Sequence, residues 1–272
     1  MVFAEVRIRS VLTDSKRPDH RGGIWWPHDP GPRPADIPSI DVVIPALNEE
    51  RSLPLVLEAL PEQWIRTVVV VDNGSSDQTA AVAGEAGAIV VDEPQRGYGA
   101  ACFRGIQRLR RDPPKIVVFI DADYSDVPQE LPRLVAPIIC GEAELVIGSR
   151  TIGAQERGAL LPQAVVGNKL ACLLMEFMYG YRFSDLGPFR AITWQALEGL
   201  QMRDRDFGWT VEMQIKAARQ GLAAVEVPVS YRKRVGVSKI TGTVRGTVLA
   251  SYKILYTLMR EYFDQLIGRE QR

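Results

Sequence analysis

Thr67-Val68-Val69-Val70-Val71-Asp72-Asn73-Gly74-Ser75-Ser76-Asp77 is a β-branched run that breaks abruptly into a cluster of turn formers. A strand apolar at every position is covered on both faces, which is the habit of parallel sheets. A helical segment from Gln78 to Glu85 follows the turn. The same order recurs upstream, where Asp41 to Ile44 runs into Pro45-Ala46-Leu47-Asn48-Glu49-Glu50 and then a helix. It recurs again at Val118-Phe119-Ile120-Asp121-Ala122-Asp123. Strand, polar turn and helix repeated three times predict an α/β fold with a mostly parallel sheet and crossover helices on both faces. The three polar ends are expected on one edge of that sheet, where such folds collect ligands.

Asp121 and Asp123 repel each other unless a cation sits between them. Hard carboxylate oxygens suit Mg²⁺ or Mn²⁺, which also bridge to phosphate oxygens. Asp72, at the neighbouring strand end, is placed to accept hydrogen bonds from a base or ribose. Gly97 and Gly99 precede a helix rich in arginine, and glycine there permits close backbone approach while a helix start favours an anion. A tight turn with positive φ accounts for the same glycines. No Gly-x-Gly-x-x-Gly follows the first strand, which argues against a dehydrogenase.

Together, Ile44 to Glu50, Val71 to Asp77 and Asp121-Ala122-Asp123 resemble family 2 glycosyltransferases of the GT-A fold, which has a Rossmann-like central sheet. Gly148-Ser149-Arg150, Asp185-Leu186-Gly187-Pro188-Phe189-Arg190 and Gly236-Val237-Ser238-Lys239 resemble the dolichyl-phosphate mannose synthase branch. The resemblance spans about residues 40 to 245. It implies an inverting transfer of a hexose from a UDP- or GDP-linked sugar to a polyprenyl phosphate. It also implies a nucleotide site built from Pro45, Ala46, Asn48, Glu49, Asp72, Gly74, Gly97, Gly99, Asp121 and Ala122, with the metal on Asp121 and Asp123. In the resembling synthases an Arg-x-x-Gly-x-Ser-Lys segment closes on phosphate. Lys233 stands at its Arg position here, so Arg232, Lys233, Arg234, Ser238 and Lys239 are the candidate phosphate contacts, with Arg190 on the acceptor side. The family segment matching Phe207 to Gln214 lines the sugar side, which makes Trp209 a candidate stacking ring and Glu212 a candidate hydroxyl ligand. A core position for Trp209 is an equal alternative. Pro188 replaces the family's Gly and suggests an altered acceptor or sugar pocket.

Asp185 separates two chemistries. A hydroxyl acceptor needs a base to take its proton, and Asp185 is the leading candidate. A phosphate acceptor is already ionised, and Asp185 would then orient Arg190, Arg150 or a sugar hydroxyl. From Val227 to Arg260 there are seven basic residues (Arg232, Lys233, Arg234, Lys239, Arg245, Lys253 and Arg260) and no acidic ones. This asymmetry favours the phosphate. Arg150, closing a strand beside the acidic pair, calls for an anionic partner. A metal on Asp121 and Asp123, with Lys239, supplies positive charge as the diphosphate departs.

Equal counts of basic and acidic residues, 33 each, argue against a nucleic-acid binder. Cys102, Cys140 and Cys172 lack metal-ligand spacing and read as reduced core thiols of a cytoplasmic protein. Residues 1–38 carry Pro18, Pro27, Pro30, Pro32, Pro34 and Pro38 and read as an extension with little regular structure, with Ile24-Trp25-Trp26 docking on the body. The catalytic domain is expected over 39–245 and an amphipathic helix over 246–272. Val166, Leu170, Leu173, Leu174, Phe177 and Met178 form one helical stripe, and Leu249 to Phe263 supply a second. Each alone is expected to pack on the core; together they can meet a bilayer, and the resemblance implies such a surface. No stretch is apolar enough to span a membrane, so attachment would be peripheral, on the cytoplasmic face. An idle GT-A domain serving assembly is the non-enzymatic alternative, and the intact acidic pair argues against it.

Overall fold

Among the described residues the apolar runs become strands of an eight-stranded sheet. A computed structural model describes residues 37–236 and 252–264, and the backbone alone of 21–24. The strands are β1 (Arg21–Ile24), β2 (Ile40–Ala46), β3 (Thr67–Asp72), β4 (Ile89–Asp92), β5 (Ile116–Phe119), β6 (Leu145–Ser149), β7 (Arg190–Thr193) and β8 (Ala224–Pro228). Their order is β1-β8-β6-β7-β5-β2-β3-β4. Only β7 runs antiparallel to its neighbours, β5 and β6; every other pairing is parallel. The mostly parallel α/β architecture expected from the sequence is therefore present.

Side chains on successive strand positions point to opposite faces. Val43, Val69, Val71, Val117 and Phe119 enter one core, and Val42, Ile44, Val70, Ile116 and Val118 the other. The second core is covered by α1 (Leu53–Ala59), α2 (Thr79–Glu85) and α4 (Leu131–Ile139). The first is covered by α3 (Tyr98–Leu109), α5 (Pro162–Tyr179), α6 (Trp194–Leu200), α7 (Trp209–Gln220) and a last helix over residues 252–264, here α8. Burial of both faces explains why the strands read as continuous hydrophobic runs rather than alternating ones.

Three expectations are corrected. Arg21–Ile24 is not coil but a parallel edge strand on β8. Cys140 is exposed at the end of α4, whereas Cys102 and Cys172 are buried. Most of the α5 stripe does not pack inward: Val166 is 67% and Phe177 88% exposed, with Leu170 and Leu173 also exposed, while Leu174 packs partly against the core. Ala171, Cys172 and Met175 fill the buried face instead. On α8, Leu258 is buried, and Tyr252, Leu255, Tyr256, Met259 and Phe263 face outward. The two helices touch, with the Tyr179 hydroxyl donating to the Leu258 carbonyl at 2.9 Å. Among the described residues no helix is long and apolar enough to cross a membrane.

Candidate active site

Strands β2, β3 and β5 are mutually parallel and end together, so the turns after them meet on one edge. There they line a cleft of about 350 Å³. Pro45, Ala46, Leu47 and Glu49 come from the first turn, Asn73 from the second, and Asp121, Ala122 and Asp123 from the third. Arg96, Gly97, Tyr98, Ala101, Asp206, Phe207 and Arg234 complete the wall.

Polar side chains stitch the turns together. Asn48, at φ 53°, accepts from the Ser76 amide at 2.7 Å, and its own amide donates to the Ser75 hydroxyl at 2.9 Å. The Glu49 amide donates to Thr79 Oγ1 at 2.8 Å. Asn73, which sequence reading passed over, donates to the carbonyls of Glu93 and Gln95 and accepts from the Gly97 amide. It thereby fixes the loop that carries Gly97 into α3. Asp72 turns back into its own loop, accepting from the Ser75 amide at 3.0 Å, so Asn73 rather than Asp72 lines the cleft. Gly74 lies under the Arg96 guanidinium. Gly97 has φ 143°, and a Cβ there would lie 2.1 Å from the Arg205 carbonyl oxygen. A Cβ on Gly99 would lie equally close to the Asp204 carbonyl oxygen. The close approach these glycines permit is therefore to the backbone of a neighbouring loop.

Asp121 and Asp123 stand at the floor. Asp123 Oδ1 accepts from the Ser125 amide at 2.9 Å and its hydroxyl at 2.5 Å, and Oδ2 pairs with Arg234. Asp121 Oδ1 is buried without a hydrogen-bond partner. Burial first, then the negative charge of Asp123, push Asp121 up to about 7, against the pull of Arg234 and the Tyr98 phenol. A buried carboxylate oxygen with no donor, next to a second carboxylate, fits a divalent cation. Among the described residues no cluster of three or more metal-ligating side chains occurs, so a cation here would complete its shell with other oxygens. The chain after β8 straps over this floor: Arg232 N donates to the Ser125 carbonyl at 2.9 Å and Val235 N to the Asp123 carbonyl at 3.0 Å.

Behind the floor, Asp185 is fully buried and committed to Arg150. Oδ2 accepts from the Arg150 amide and Nε, and Oδ1 from Nη2, all at 2.8 Å. The Arg150 guanidinium lies 5.0 Å from the centre of the Tyr231 ring, and its pKa is raised by Asp185 in spite of burial. Neither residue lines the cleft. Asp185 thus spends both carboxylate oxygens on Arg150, away from the cleft. Asp206, which sequence reading missed, is the carboxylate of the 203–208 loop that faces the cleft.

Several expected contacts are corrected. Arg190 is fully buried and donates to the carbonyls of Leu186, Gly187 and Thr210, holding the 186–187 turn from within rather than meeting a phosphate. Trp209 is 1% exposed and packs edge-on against Phe103 and Phe119, so it cannot stack on a sugar. Glu212 is buried, accepting from the amides of Arg203 and Asp204 and pairing with Lys216 at 2.9 Å. Lys233 leaves the cleft for Glu156, whereas Arg232 lies 3.5 Å from the Tyr124 ring centre and donates to the carbonyls of Tyr124 and Asp126. Of the basic candidates, Arg234 reaches the cleft. Ser238 and Lys239 lie outside the described residues.

Residues 41–189 match the profile of Glycosyl transferase family 2. An uncharacterized glycosyltransferase of Mycobacterium tuberculosis is 41% identical over 214 residues, covering 78% of this chain and 94% of the relative. Polyprenol monophosphomannose synthase of Mycolicibacterium smegmatis is 31% identical, covering 74% of this chain and 81% of that one. Undecaprenyl-phosphate mannosyltransferase of Micrococcus luteus is 30% identical, covering 77% and 90%. Among solved structures, glucosyl-3-phosphoglycerate synthase of M. tuberculosis in complex with Mn²⁺, UDP and phosphoglyceric acid aligns with TM-score 0.67 at 23% identity, over 83% of this chain and 78% of that one. That likeness shows the GT-A fold. Sequence and architecture agree along most of the chain, and this protein is a glycosyltransferase belonging to family 2.

Proposed function

We propose that this enzyme moves a hexose from a nucleoside diphosphate to the phosphate of a polyprenyl phosphate, with inversion at the anomeric carbon. The observation that carries the choice of acceptor is the Arg150–Asp185 pair, which removes the expected carboxylate base from service. A phosphate nucleophile is ionised near neutral pH and needs no base. The names of the relatives from M. smegmatis and M. luteus support the same acceptor class.

In this reading the nucleotide lies along Pro45, Ala46, Glu49 and Asn73, with Gly97 and Tyr98 opposite. Its diphosphate reaches the floor between Arg96 and Arg234. An acceptor phosphate oxygen attacks the anomeric carbon from the far face as the bond to the diphosphate oxygen breaks, and the nucleoside diphosphate leaves with that electron pair. Arg234 and Arg96 supply charge where the leaving group becomes more negative. Mg²⁺ or Mn²⁺ held by Asp121 and Asp123 would add Lewis-acid charge to the diphosphate. The exposed apolar faces of α5 and α8 support approach to the lipid acceptor at a membrane surface, as a peripheral protein on its cytoplasmic face.

The hydroxyl-acceptor alternative, with Asp185 as base, is disfavoured by the same ion pair; with Glu49 on the nucleotide side and Asp121 and Asp123 on the metal, Asp206 is the cleft carboxylate that would serve it. Incubation of UDP- and GDP-sugars with polyprenyl phosphate and Mn²⁺ or Mg²⁺ tests the reading. A lipid-linked sugar that still forms in Asp206→Asn supports it. Transfer only to a hydroxyl acceptor, lost in Asp206→Asn, overturns it.

A further inference from the structure

The basic residues of α8 are half-buried and turn back onto the body of the protein. Lys253 lies 3.0 Å from Asp204 Oδ2, and Arg260 lies 3.5 Å from Glu212 Oε1. Both carboxylates are buried, and both hold the 203–208 loop. Asp204 Oδ1 accepts from the amides of Asp206 and Gly208, so this one side chain sets the turn that presents Asp206 and Phe207 to the cleft. The carbonyl of Arg205 accepts from the Ala100 amide at 2.8 Å, joining the turn to the first residues of α3. Asp204 Oδ2 makes no hydrogen bond; Lys253 is the cation directly beside it, with Arg260 adding a weaker, longer-range attraction. A Cβ on Gly208 would lie 2.5 Å from both Asp204 Oδ2 and Thr257 Oγ1, so α8 is seated directly on this turn.

We propose that Lys253 is a positioning residue for the donor cleft: from outside the catalytic machinery it keeps Asp204 in place, and through Asp204 it holds the wall carrying Asp206 and Phe207. The inference rests on the cleft being the nucleotide-sugar site. A buried carboxylate deprived of its counter-charge turns toward solvent or takes up a proton, and either change releases the two amides it fixes. The 203–208 wall and the Gly97–Ala100 segment then loosen together. Arg219 offers a control, because it ties α8 to α7 through Glu261 at 2.6 Å without touching this turn.

Wild type, Lys253→Met, Lys253→Arg and Arg219→Met are compared by amide hydrogen exchange and by titration with UDP and GDP in Mn²⁺. Lys253→Met should speed exchange at 203–208 and 97–101 and weaken nucleotide binding about tenfold, since only a fraction of the cost of the unpaired carboxylate is transmitted to the cleft. Lys253→Arg should restore both, and Arg219→Met should change neither while lowering the melting temperature. Unchanged exchange at the two segments in Lys253→Met, or equal loosening in Arg219→Met, overturns the proposal. If wild type binds neither nucleotide, the donor assignment falls, and the exchange data still decide the role of Lys253.

Discussion

Replacing Asp185 by asparagine removes one negative charge from a side chain that is fully buried and opposite a guanidinium whose side chain is 15% exposed. Three contacts at 2.8 Å bind the pair, and the substituted amide can keep only part of them. Removing one partner of a buried ion pair costs about 3–5 kcal/mol, because the other charge is left uncompensated. The retained hydrogen bonding puts Asp185→Asn near the lower end, about 3 kcal/mol. For a chain of this size that corresponds to a fall in melting temperature of about 6–12 °C. Scanning calorimetry reads the stability, and transfer measured well below the new midpoint reads the chemistry of the folded fraction. Activity per folded molecule should stay within about tenfold of wild type, since a positioning change costs little beside the loss of a general base. The pair Arg150→Met with Asp185→Leu should be more stable than Asp185→Asn, because no lone charge remains buried. Transfer abolished with an unchanged melting temperature would refute the reasoning and make Asp185 the base.

Asp123→Ala should remove Mn²⁺-dependent nucleotide binding while leaving the fold intact, and calorimetric titration showing unchanged Mn²⁺ dependence would count against the acidic pair as the metal site. Asp121 and Glu226 are both raised to about 7, each chiefly by burial. Their folded pKa values lie above the unfolded ones, so the native state holds more protons and metal-free stability should fall as pH rises from about 4 to about 7. Mn²⁺ takes the ionised carboxylate, so its affinity should climb across the upper part of that window and level off above it; a flat pH profile contradicts this. Phe177→Glu together with Leu173→Glu should reduce co-sedimentation with anionic lipid vesicles several-fold without changing nucleotide affinity, because both side chains are exposed and remote from the cleft lining. Undiminished vesicle binding would remove α5 from the membrane surface.

What the sequence made legible follows the range of the interactions concerned. Runs such as Thr67 to Val71 and Val118 to Ile120 report their own burial, since strand periodicity and turn chemistry are local. The Asp121–Asp123 pair was visible because both carboxylates lie on one turn. Asn73 was not singled out because its work is done on Glu93, Gln95 and Gly97, some twenty residues away. The basic run was misread in part for the same reason. Lys253 and Arg260 find their carboxylates on a loop and helix far behind them in the chain. Charge patterning along a segment counts cations but not the anions folded onto them. The α5 stripe shows the opposite limit: spacing identifies an apolar face, while the elements packed around it decide whether protein covers it.

Strand β1 matters for where the enzyme can be cut. Among the described residues it is the outermost strand, and its neighbour is β8, the strand that leads into the strap over the carboxylate pair. A chain begun at residue 37 would keep every cleft residue yet bare the outer backbone of β8. That row of unpaired amides and carbonyls invites another chain to add itself as the missing strand. Strand β1 is therefore expected to guard β8 against self-association, and expression trials that trim it should gain oligomers before they lose turnover.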